Sequence, residues 1–275
     1  MNSRNPLVTV GLLVASLGVA LPATAQVYLL PAAPEKGVGI EVSHPEFKEF
    51  DVTAPTSVTF LSGRMPLNAR WSVFADVPFA YAKVKGGVLD SDGNSVLGNP
   101  MLGVEYRPVA GWTVDGGVRA PLTTADSESL ADVIGFLSDP QRGEAFLDDV
   151  VPVSVSTTYH RSLTPEFGLR ARGGVTSAIY TGDDDEVGTE TFLDYGVFGS
   201  YHRGIARFGA GMSGRWMATA DEGDFSDNSM HQLGLTADAL VAGVRPGLSL
   251  RVPVNSTYRD VLSSSLGVYV QVPLR

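Results

Sequence analysis

Apolar and polar residues alternate along most of the chain from about residue 37 to the C-terminus. In the segment that begins at Trp71, one set of alternate positions is apolar as far as Tyr81, whereas the other carries Asp76 and small residues. Near the C-terminus, alternate positions from Leu266 to Leu274 are apolar in the same way. Because the side chains of a β-strand point alternately to its two faces, each such segment predicts a strand with one apolar and one polar face.

The alternation predicts twelve strands, joined by connections that are alternately short and long. Outer-membrane barrels show this pattern, because their periplasmic turns are tight and their extracellular loops are long. The short turns are predicted at residues 67–69, 110–111, 163–165, 204 and 245–247. The fold class is therefore all-β, a transmembrane antiparallel up-and-down β-barrel of about twelve strands. The predicted strands are residues 37–43, 55–66, 70–84, 96–108, 112–124, 150–161, 166–181, 190–203, 205–219, 230–244, 248–256 and 264–275.

Aromatic residues fall near the ends of the predicted strands. Amphipathic rings collect at the two interfaces of a membrane, so their placement indicates girdles around the barrel. The aromatic residues near the short turns are Trp71, Tyr106, Trp112, Tyr159 and Phe167.

The first 25 residues have the pattern of a secretory signal. Arg4 precedes an apolar run over residues 7–21, and residues 23–25, Ala-Thr-Ala, form the small-x-small pattern that a signal peptidase cleaves. The run is shorter than the roughly 20 residues of a membrane-spanning helix, which favours a cleaved signal over a retained anchor. We therefore expect export, loss of residues 1–25, and one barrel domain over residues 26–275 in the outer membrane.

Composition narrows the chemistry that the chain can perform. The sequence has no cysteine, which excludes disulfides, thiol catalysis and thiolate metal ligands. Its formal net charge of −10 disfavours nucleic acid and anionic surfaces as partners. Only 18% of the residues are charged, which is low for a secreted domain and typical of a barrel whose outside faces lipid.

The longest predicted connection, residues 125–149, contains helical signals. Its apolar residues recur at helical spacing after possible N-caps at Asp126 or Ser127, and residues 139–140, Asp-Pro, resemble a second helix start. A loop of this length in a compact fold is usually functional or self-structured. We expect a short amphipathic helix that caps or folds into the barrel mouth and gates it. The residues assigned to this gating loop are Leu130, Val133, Ile134, Leu137 and Phe146.

Charged residues on the polar faces are expected to point into the barrel. An arginine or lysine that faces lipid near mid-membrane costs about 2–4 kcal/mol, so the inward orientation is favoured. These charges either brace the lumen as ion pairs or line a solute path, and inward glycines favour a narrow passage over a solid core. The residues predicted to line the lumen are Asp76, Asp115, Arg119, Arg170, Arg172, Asp194, Arg207, Arg215, Asp238 and Arg251.

Patterns for catalysis or metal binding are scarce. His160 with Ser162, or His231 with Ser229, could form the His-Ser pair of a lipid-modifying enzyme, but neither has the local pattern of such enzymes, and a solvated histidine at a strand end is the favoured explanation. The acidic clusters at residues 183–186 and 221–227 lack the glycine and terminal glutamate of a calcium loop and are better explained as solvated loop charge. No cofactor and no metal site is therefore predicted.

Residues 98–107, GNPMLGVEYR, resemble the G-[DN]-P-x-L-G-x-[EK]-Y-R strand of the outer-membrane β-barrel family named for the meta-pathway of phenol degradation. Residues 111–124 and 164–168 resemble further segments of that family. The resemblance implies an outer-membrane transporter of small, often hydrophobic or aromatic compounds. The chain departs from the usual aromatic C-terminus of such barrels, since Leu274 is followed by Arg275.

We therefore expect a non-enzymatic channel for passive diffusion of small solutes, hydrophobic or aromatic ones included. Two alternatives stay open: a plugged structural or adhesive barrel whose acidic loops are its working surface, and a lipid-modifying enzyme with His and Ser facing outward at one interface. The expected partners are outer-membrane lipid and lipopolysaccharide, a small-molecule solute and the barrel assembly machinery, and not nucleic acid.

Overall fold

The computed structural model describes residues 29–30, 36–48, 55–83, 93–124, 129–182, 188–220 and 223–274. The expected signal segment and the possible caps at Asp126 and Ser127 lie outside the described residues. The described strands are β1 (Gly37–Phe47), β2 (Ser57–Pro66), β3 (Trp71–Ala82), β4 (Asn94–Leu97), β5 (Met101–Tyr106), β6 (Trp112–Arg119), β7 (Val150–Ser162), β8 (Phe167–Tyr180), β9 (Glu190–Arg203), β10 (Ala206–Met217), β11 (Ser229–Ala239), β12 (Arg245–Pro253) and β13 (Leu262–Pro273).

These strands form one closed antiparallel sheet. Each strand pairs with its neighbours in the chain, and β1 pairs with both β13 and β2, which closes the barrel. Strands β4 and β5 both pair with β3 and are two halves of one barrel strand. The barrel therefore has twelve strands, and the prediction of an up-and-down antiparallel β-barrel is confirmed.

The period-two pattern decides which side chains face inward. In β3, Ser72, Phe74 and Asp76 are buried, whereas the intervening residues are partly or fully exposed. The exposed positions of the other strands are mainly Val and Leu, and Val155 is 57% exposed. An apolar exterior around a polar interior is the arrangement of a barrel in lipid.

Stacked aromatic pairs surround the short-turn end of the barrel. Each pair joins neighbouring strands, and ring centroids 4.6–4.9 Å apart permit favourable tilted stacking. Their positions agree with the predicted girdle. The pairs are Trp71–Tyr106, Trp112–Tyr159 and Phe167–Tyr201.

Four of the five predicted short turns are confirmed, and the fifth is wrong. Residues 245–247 belong to β12, and the chain turns instead at Ala242 and Gly243, whose φ angles are 52° and 82°. Two consecutive positive φ angles are typical of a type I′ hairpin turn. Pro246 is tolerated in the strand because the ladder between β11 and β12 begins one residue later, at Gly247.

The described helices are α1 (Leu130–Ser138), a 3₁₀ helix (Gly143–Phe146) and α2 (Ser256–Val261). Within the described residues, no helix reaches the length and apolarity that crossing a membrane requires. Helix α1 lies in the predicted gating loop and packs on the long-loop ends of β2, β3 and β4.

The buried face of α1 differs from the predicted stripe. Ala131, Ile134 and Gly135 are buried, whereas Val133 is 46% exposed and does not belong to the packed face. The face is displaced because Gly135 lets Phe146 pack directly on the helix: a Cβ at Gly135 would lie 2.5 Å from the Phe146 ring. Leu130 packs at the edge of this cluster, and Leu137 is only partly buried.

Candidate functional site: a charged lumen and its plug segment

The ten residues predicted to line the lumen all lie on the inner face of the barrel. Nine of them are buried, and the side chain of Arg172 is 9% exposed. Cross-strand pairing of opposite charges accounts for most of them. The pairs and their N–O distances are Arg119–Asp76 (3.1 Å), Arg172–Asp115 (2.6 Å), Arg207–Asp238 (2.8 Å) and Arg215–Asp194 (2.6 Å).

Among the described residues, every buried cation is an arginine. The planar guanidinium presents parallel donors that match a carboxylate, and it is less strongly hydrated than an ammonium group. Arg172 uses this geometry fully, since its two terminal nitrogens donate to the two oxygens of Asp115 over 2.8 and 2.6 Å. Arginine therefore allows many charges to be buried in charge-assisted hydrogen bonds with carboxylates.

Residues 139–146, the plug segment, follow α1 and lie inside the barrel. All of them are buried, including four polar or charged residues. Buried polar groups are stabilised only when they are paired, so the wall must supply their partners. The segment's polar residues are Asp139, Gln141, Arg142 and Glu144.

Four charges join the plug segment to the first and last parts of the barrel. Arg142 donates to Glu41 of β1 over 2.7 Å and to Asp139 over 2.8 Å. Arg251 of β12 contacts the same two carboxylates, and its Nη1 lies 3.2 Å from Asp139. Each arginine therefore bridges both acids, and the four groups form a closed ring of alternating charge.

The ring of four charges sets the protonation of the plug segment's own carboxyl group. Burial raises the pKa of Asp139, but the guanidinium groups of Arg251 and Arg142 outweigh burial and lower that pKa to about 2. Asp139 therefore stays ionised at any pH that a bacterium meets in ordinary growth. The ring consequently holds the plug segment through full charges.

A second contact fixes the other end of the plug segment. Arg215 of β10 donates to Glu144 over 2.6 Å and to Asp194 of β9 over 2.6 Å. It also donates to the carbonyl oxygen of Gln141 over 3.2 Å. Arg215 thus joins the plug segment to Asp194 of the wall, which also accepts a hydrogen bond from the Thr176 hydroxyl.

Asn99 anchors the loop at the break between β4 and β5. Its backbone N–H donates to the carbonyl of Ala145 over 2.6 Å, and its side-chain amide donates to the carbonyl of Leu147 over 2.7 Å. Its side-chain oxygen accepts from the N–H groups of Leu122 and Thr123, both over 2.9 Å. These bonds replace strand pairing, which explains why the predicted strands 96–108 and 112–124 are interrupted or end early.

Aromatic contacts complete the docking of the plug segment. The guanidinium carbon of Arg142 lies 3.5 Å from the centroid of the Phe60 ring, and Phe146 meets the same ring edge-on at 6.0 Å. Phe60 and Phe146 belong to the apolar cluster at the barrel mouth. The plug segment is thus held by apolar contact at the mouth and by charge inside.

A cavity of about 60 Å³ lies between the plug segment and the wall. Gln141, Arg142 and Glu144 line one side, and Asp115 and Arg172 belong to the other. Benzene occupies a cavity of about 150 Å³ in a protein interior, so this smaller space suits a few water molecules and no organic solute. The plug segment therefore occupies part of the lumen and leaves only this small space beside it.

Sequence reasoning missed five functional residues, namely Glu41, Asn99, Asp139, Arg142 and Glu144. Strand alternation could have placed Glu41 inward, because the apolar Ile40 and Val42 on either side of it take the outward positions of β1. For the three residues of the plug segment the sequence offers no comparable signal, because their partners are far away in the chain.

The two His-Ser pairs differ in where they face. His160 is the cross-strand partner of the inward Arg170, so it points into the lumen and away from any lipid. His231 lies on the outer face between Tyr195 and Ser229, and its Nδ1 is 3.5 Å from the Ser229 hydroxyl. Ser229 is buried, which shields its hydroxyl from a substrate.

Among the described residues, no group of three or more His, Asp or Glu side chains is placed to hold an ion. The acidic cluster at residues 183–186 lies outside the described residues. Of the second cluster, Asp224 accepts hydrogen bonds from Ser226, which lower its pKa.

The geometry defines a twelve-stranded barrel of outer-membrane type whose lumen is occupied by its own loop. No protein-family model matches the chain, and no curated protein matches its sequence. Solved structures do match it. A COG4313 outer-membrane channel from Pseudomonas putida F1 superimposes with a TM-score of 0.60 at 12% identity, covering 90% of this chain and 98% of the channel.

Two further structures are similar over most of their length. A NanC porin matches with a TM-score of 0.55 at 9% identity, over 86% of this chain and 100% of the porin. LpxR from Salmonella typhimurium matches with a TM-score of 0.50 at 10% identity, over 86% of this chain and 100% of that protein. At such identities the likeness shows that the chain shares the outer-membrane barrel fold.

Proposed function

We propose that the protein is an outer-membrane channel for passive diffusion of small solutes, and that the plug segment is its gate. The observation that carries this proposal is the polar docking of the plug segment inside a closed barrel. Buried ion pairs stabilise a fold less well than apolar packing of the same volume, because desolvation offsets the attraction between charges. Apolar residues would therefore stabilise a permanent, purely structural plug better. Charged groups suit a segment that is released, because water solvates them when the segment leaves the lumen.

The orientation follows from the asymmetry of the connections. Tight turns lie on the periplasmic side of outer-membrane barrels, and long loops lie outside the cell. In this orientation the plug segment enters the lumen from the extracellular side. The signal-like residues 1–25 support export to that membrane.

The charged lining favours small polar or charged solutes. The family resemblance implies hydrophobic or aromatic compounds, but paired arginines and carboxylates line most of the path that such a compound would take. A polar solute exchanges hydrogen bonds with these groups, whereas an apolar solute leaves them unsatisfied. Comparing the uptake of a neutral sugar, a carboxylate and phenol into proteoliposomes distinguishes these classes.

The alternatives rest on weaker observations. The small size of the cavity favours a plugged structural barrel, but a closed gate has the same appearance. The Ser229–His231 contact on the outer face favours a lipid-modifying enzyme, but the serine is buried and its distance to the imidazole is long for an activated nucleophile.

Replacement of residues 130–146 by a short Gly-Ser linker tests the proposal. Single-channel conductance in planar bilayers should rise, because the segment that fills the lumen is gone while the wall is intact. A matched control replaces residues 224–227, which are surface-exposed in another long loop, and should leave the conductance unchanged. If the loop deletion also leaves it unchanged, the plug segment is not the gate. If neither form conducts any ion, the barrel is a structural one.

A further inference from the structure

A second piece of the chain lies inside the barrel, and it enters from the opposite end. Leu29 and Leu30 are 1% and 7% exposed, although they belong to no strand or helix. They precede β1, whose first residue, Gly37, pairs with Arg64 and Pro273 at the short-turn end. The two leucines therefore reach the lumen from the end opposite to the plug segment.

The wall is shaped to receive Leu29. It packs against Phe198 of β9, and it lies over Gly234 of β11, where a Cβ would come within 2.9 Å of the leucine side chain. Phe198 itself lies over Gly209, since a Cβ there would lie 2.2 Å from its ring. Glycines on neighbouring strands thus create an apolar recess that a leucine fills.

The backbone of Leu30 is held by a charge-assisted hydrogen bond. Arg170 of β8 donates from its terminal nitrogen to the Leu30 carbonyl oxygen over 2.6 Å, and its guanidinium carbon lies 5.0 Å from the Phe198 ring centroid. The recess and the arginine belong to one row of cross-strand partners, from Arg170 through Phe198 to Gly234.

The same row reaches the plug segment. The next partner of Gly234 is Arg251, which holds Asp139. The leucines and the plug segment are therefore bound at neighbouring positions of the wall, so both occupy the passage at that level.

We propose that Leu29 and Leu30 form a second, displaceable stopper that narrows the lumen from the periplasmic side. This inference rests on the proposed channel function and adds a second gate to it. The stopper is bound through two apolar side chains and a backbone carbonyl, contacts that an extended apolar peptide can make and break without disturbing the strands. Release of the plug segment alone then leaves a narrowed passage, and release of the stopper widens it.

Gly234→Ala tests the stopper in the full-length chain. The added methyl group displaces Leu29, so in the Arg142→Met background, where the plug segment is docked for less of the time, single-channel conductance should rise further. Gly199→Ala is the matched control, because a Cβ at that position meets only ordinary contact at 3.8 Å. Leu29→Asp provides a second variant that leaves the wall untouched, in case Gly234→Ala prevents folding.

A synthetic peptide with the sequence of residues 26–36 gives an independent measurement. Added to a stopper-released barrel, it should block current from the short-turn side and have no effect from the long-loop side. If Leu29→Asp and a folded Gly234→Ala both conduct like the Arg142→Met protein without them, the stopper is refuted. The channel proposal is tested separately, by the deletion of the loop, and stands if that deletion conducts. If no variant conducts, both proposals fail.

Discussion

Replacing Arg142 by methionine should open the channel. The substitution removes the guanidinium that joins Glu41 to Asp139, but it retains a side chain of similar length that can still cover the Phe60 ring. With the plug segment docked, two buried carboxylates would then share the single guanidinium of Arg251. When the plug segment undocks, water reaches both acids, so the substitution destabilises the closed state and leaves the open state unaffected.

The magnitude follows from the ion pairs that the substitution removes. Removing one partner of a buried ion pair costs about 3–5 kcal/mol. Arg251 remains in place, so the lower end of that range is expected, and about 3 kcal/mol corresponds to roughly a 100-fold change in the ratio of open to closed states. A gate that is open about 1% of the time would become open about half of the time.

Single-channel recordings at neutral pH measure this open probability directly. Arg161→Met, which removes an exposed arginine of β7, is the control and should behave like the wild type. Adding Glu41→Gln to Arg142→Met should restore part of the closed population, because one of the two unpaired acids is then neutral. An open probability equal to that of the wild type in Arg142→Met would refute the role given to the ring of four charges.

Four further results are expected. The pKa of Asp139 is lowered to about 2 from its ordinary value of 3.8, so its contribution to closure is complete above about pH 4 and is lost as the pH falls towards 2. The open probability should therefore rise as the pH falls from about 4 to about 2, and Asp139→Asn should abolish this pH dependence. Val153→Arg should lower the free energy of unfolding in lipid by about 2–4 kcal/mol, whereas Ser154→Arg on the inner face should not, and equal losses would contradict the assignment of the two faces. Asn99→Ala removes the side-chain oxygen that accepts from the N–H groups of Leu122 and Thr123, and a hydrogen bond left unsatisfied costs about 1–3 kcal/mol, so hydrogen exchange at residues 122–123 should accelerate, while Asn68→Ala in a short turn leaves those amides protected. A cysteine at position 224 should react with an impermeant reagent on whole cells and one at position 111 should not, and labelling at position 111 would reverse the orientation.

The strands and their faces could be predicted because the physics behind them is local. A lipid-exposed outer face and a polar inner face force a period of two, which any single strand displays in its own sequence. Turn chemistry is local too, yet it misled once: Pro246-Gly247 has the composition of a turn, while Ala242 adopts a positive φ that its side chain does not favour.

The plug segment could not be predicted because its partners are distant in the chain. Arg142 is separated by 101 positions from Glu41, and Glu41 by 210 positions from Arg251. Helical spacing predicted a stripe of Leu130, Val133, Ile134 and Leu137, of which Ile134 is buried and Val133 is exposed, because tight contact at Gly135 shifts the buried face of α1. A contact between a loop and the barrel wall depends on the shape of the closed barrel, and no short stretch of the sequence contains that information.

The ring of four charges also dictates an order of assembly. Glu41 lies on β1 and Arg251 on β12, and these strands come together only through β13, whose pairing with β1 is the final seam of the barrel. Before the seam closes, Arg142 and Asp139 have only half of their receptor. Complete docking of the plug segment therefore depends on the pairing of β1 with β13.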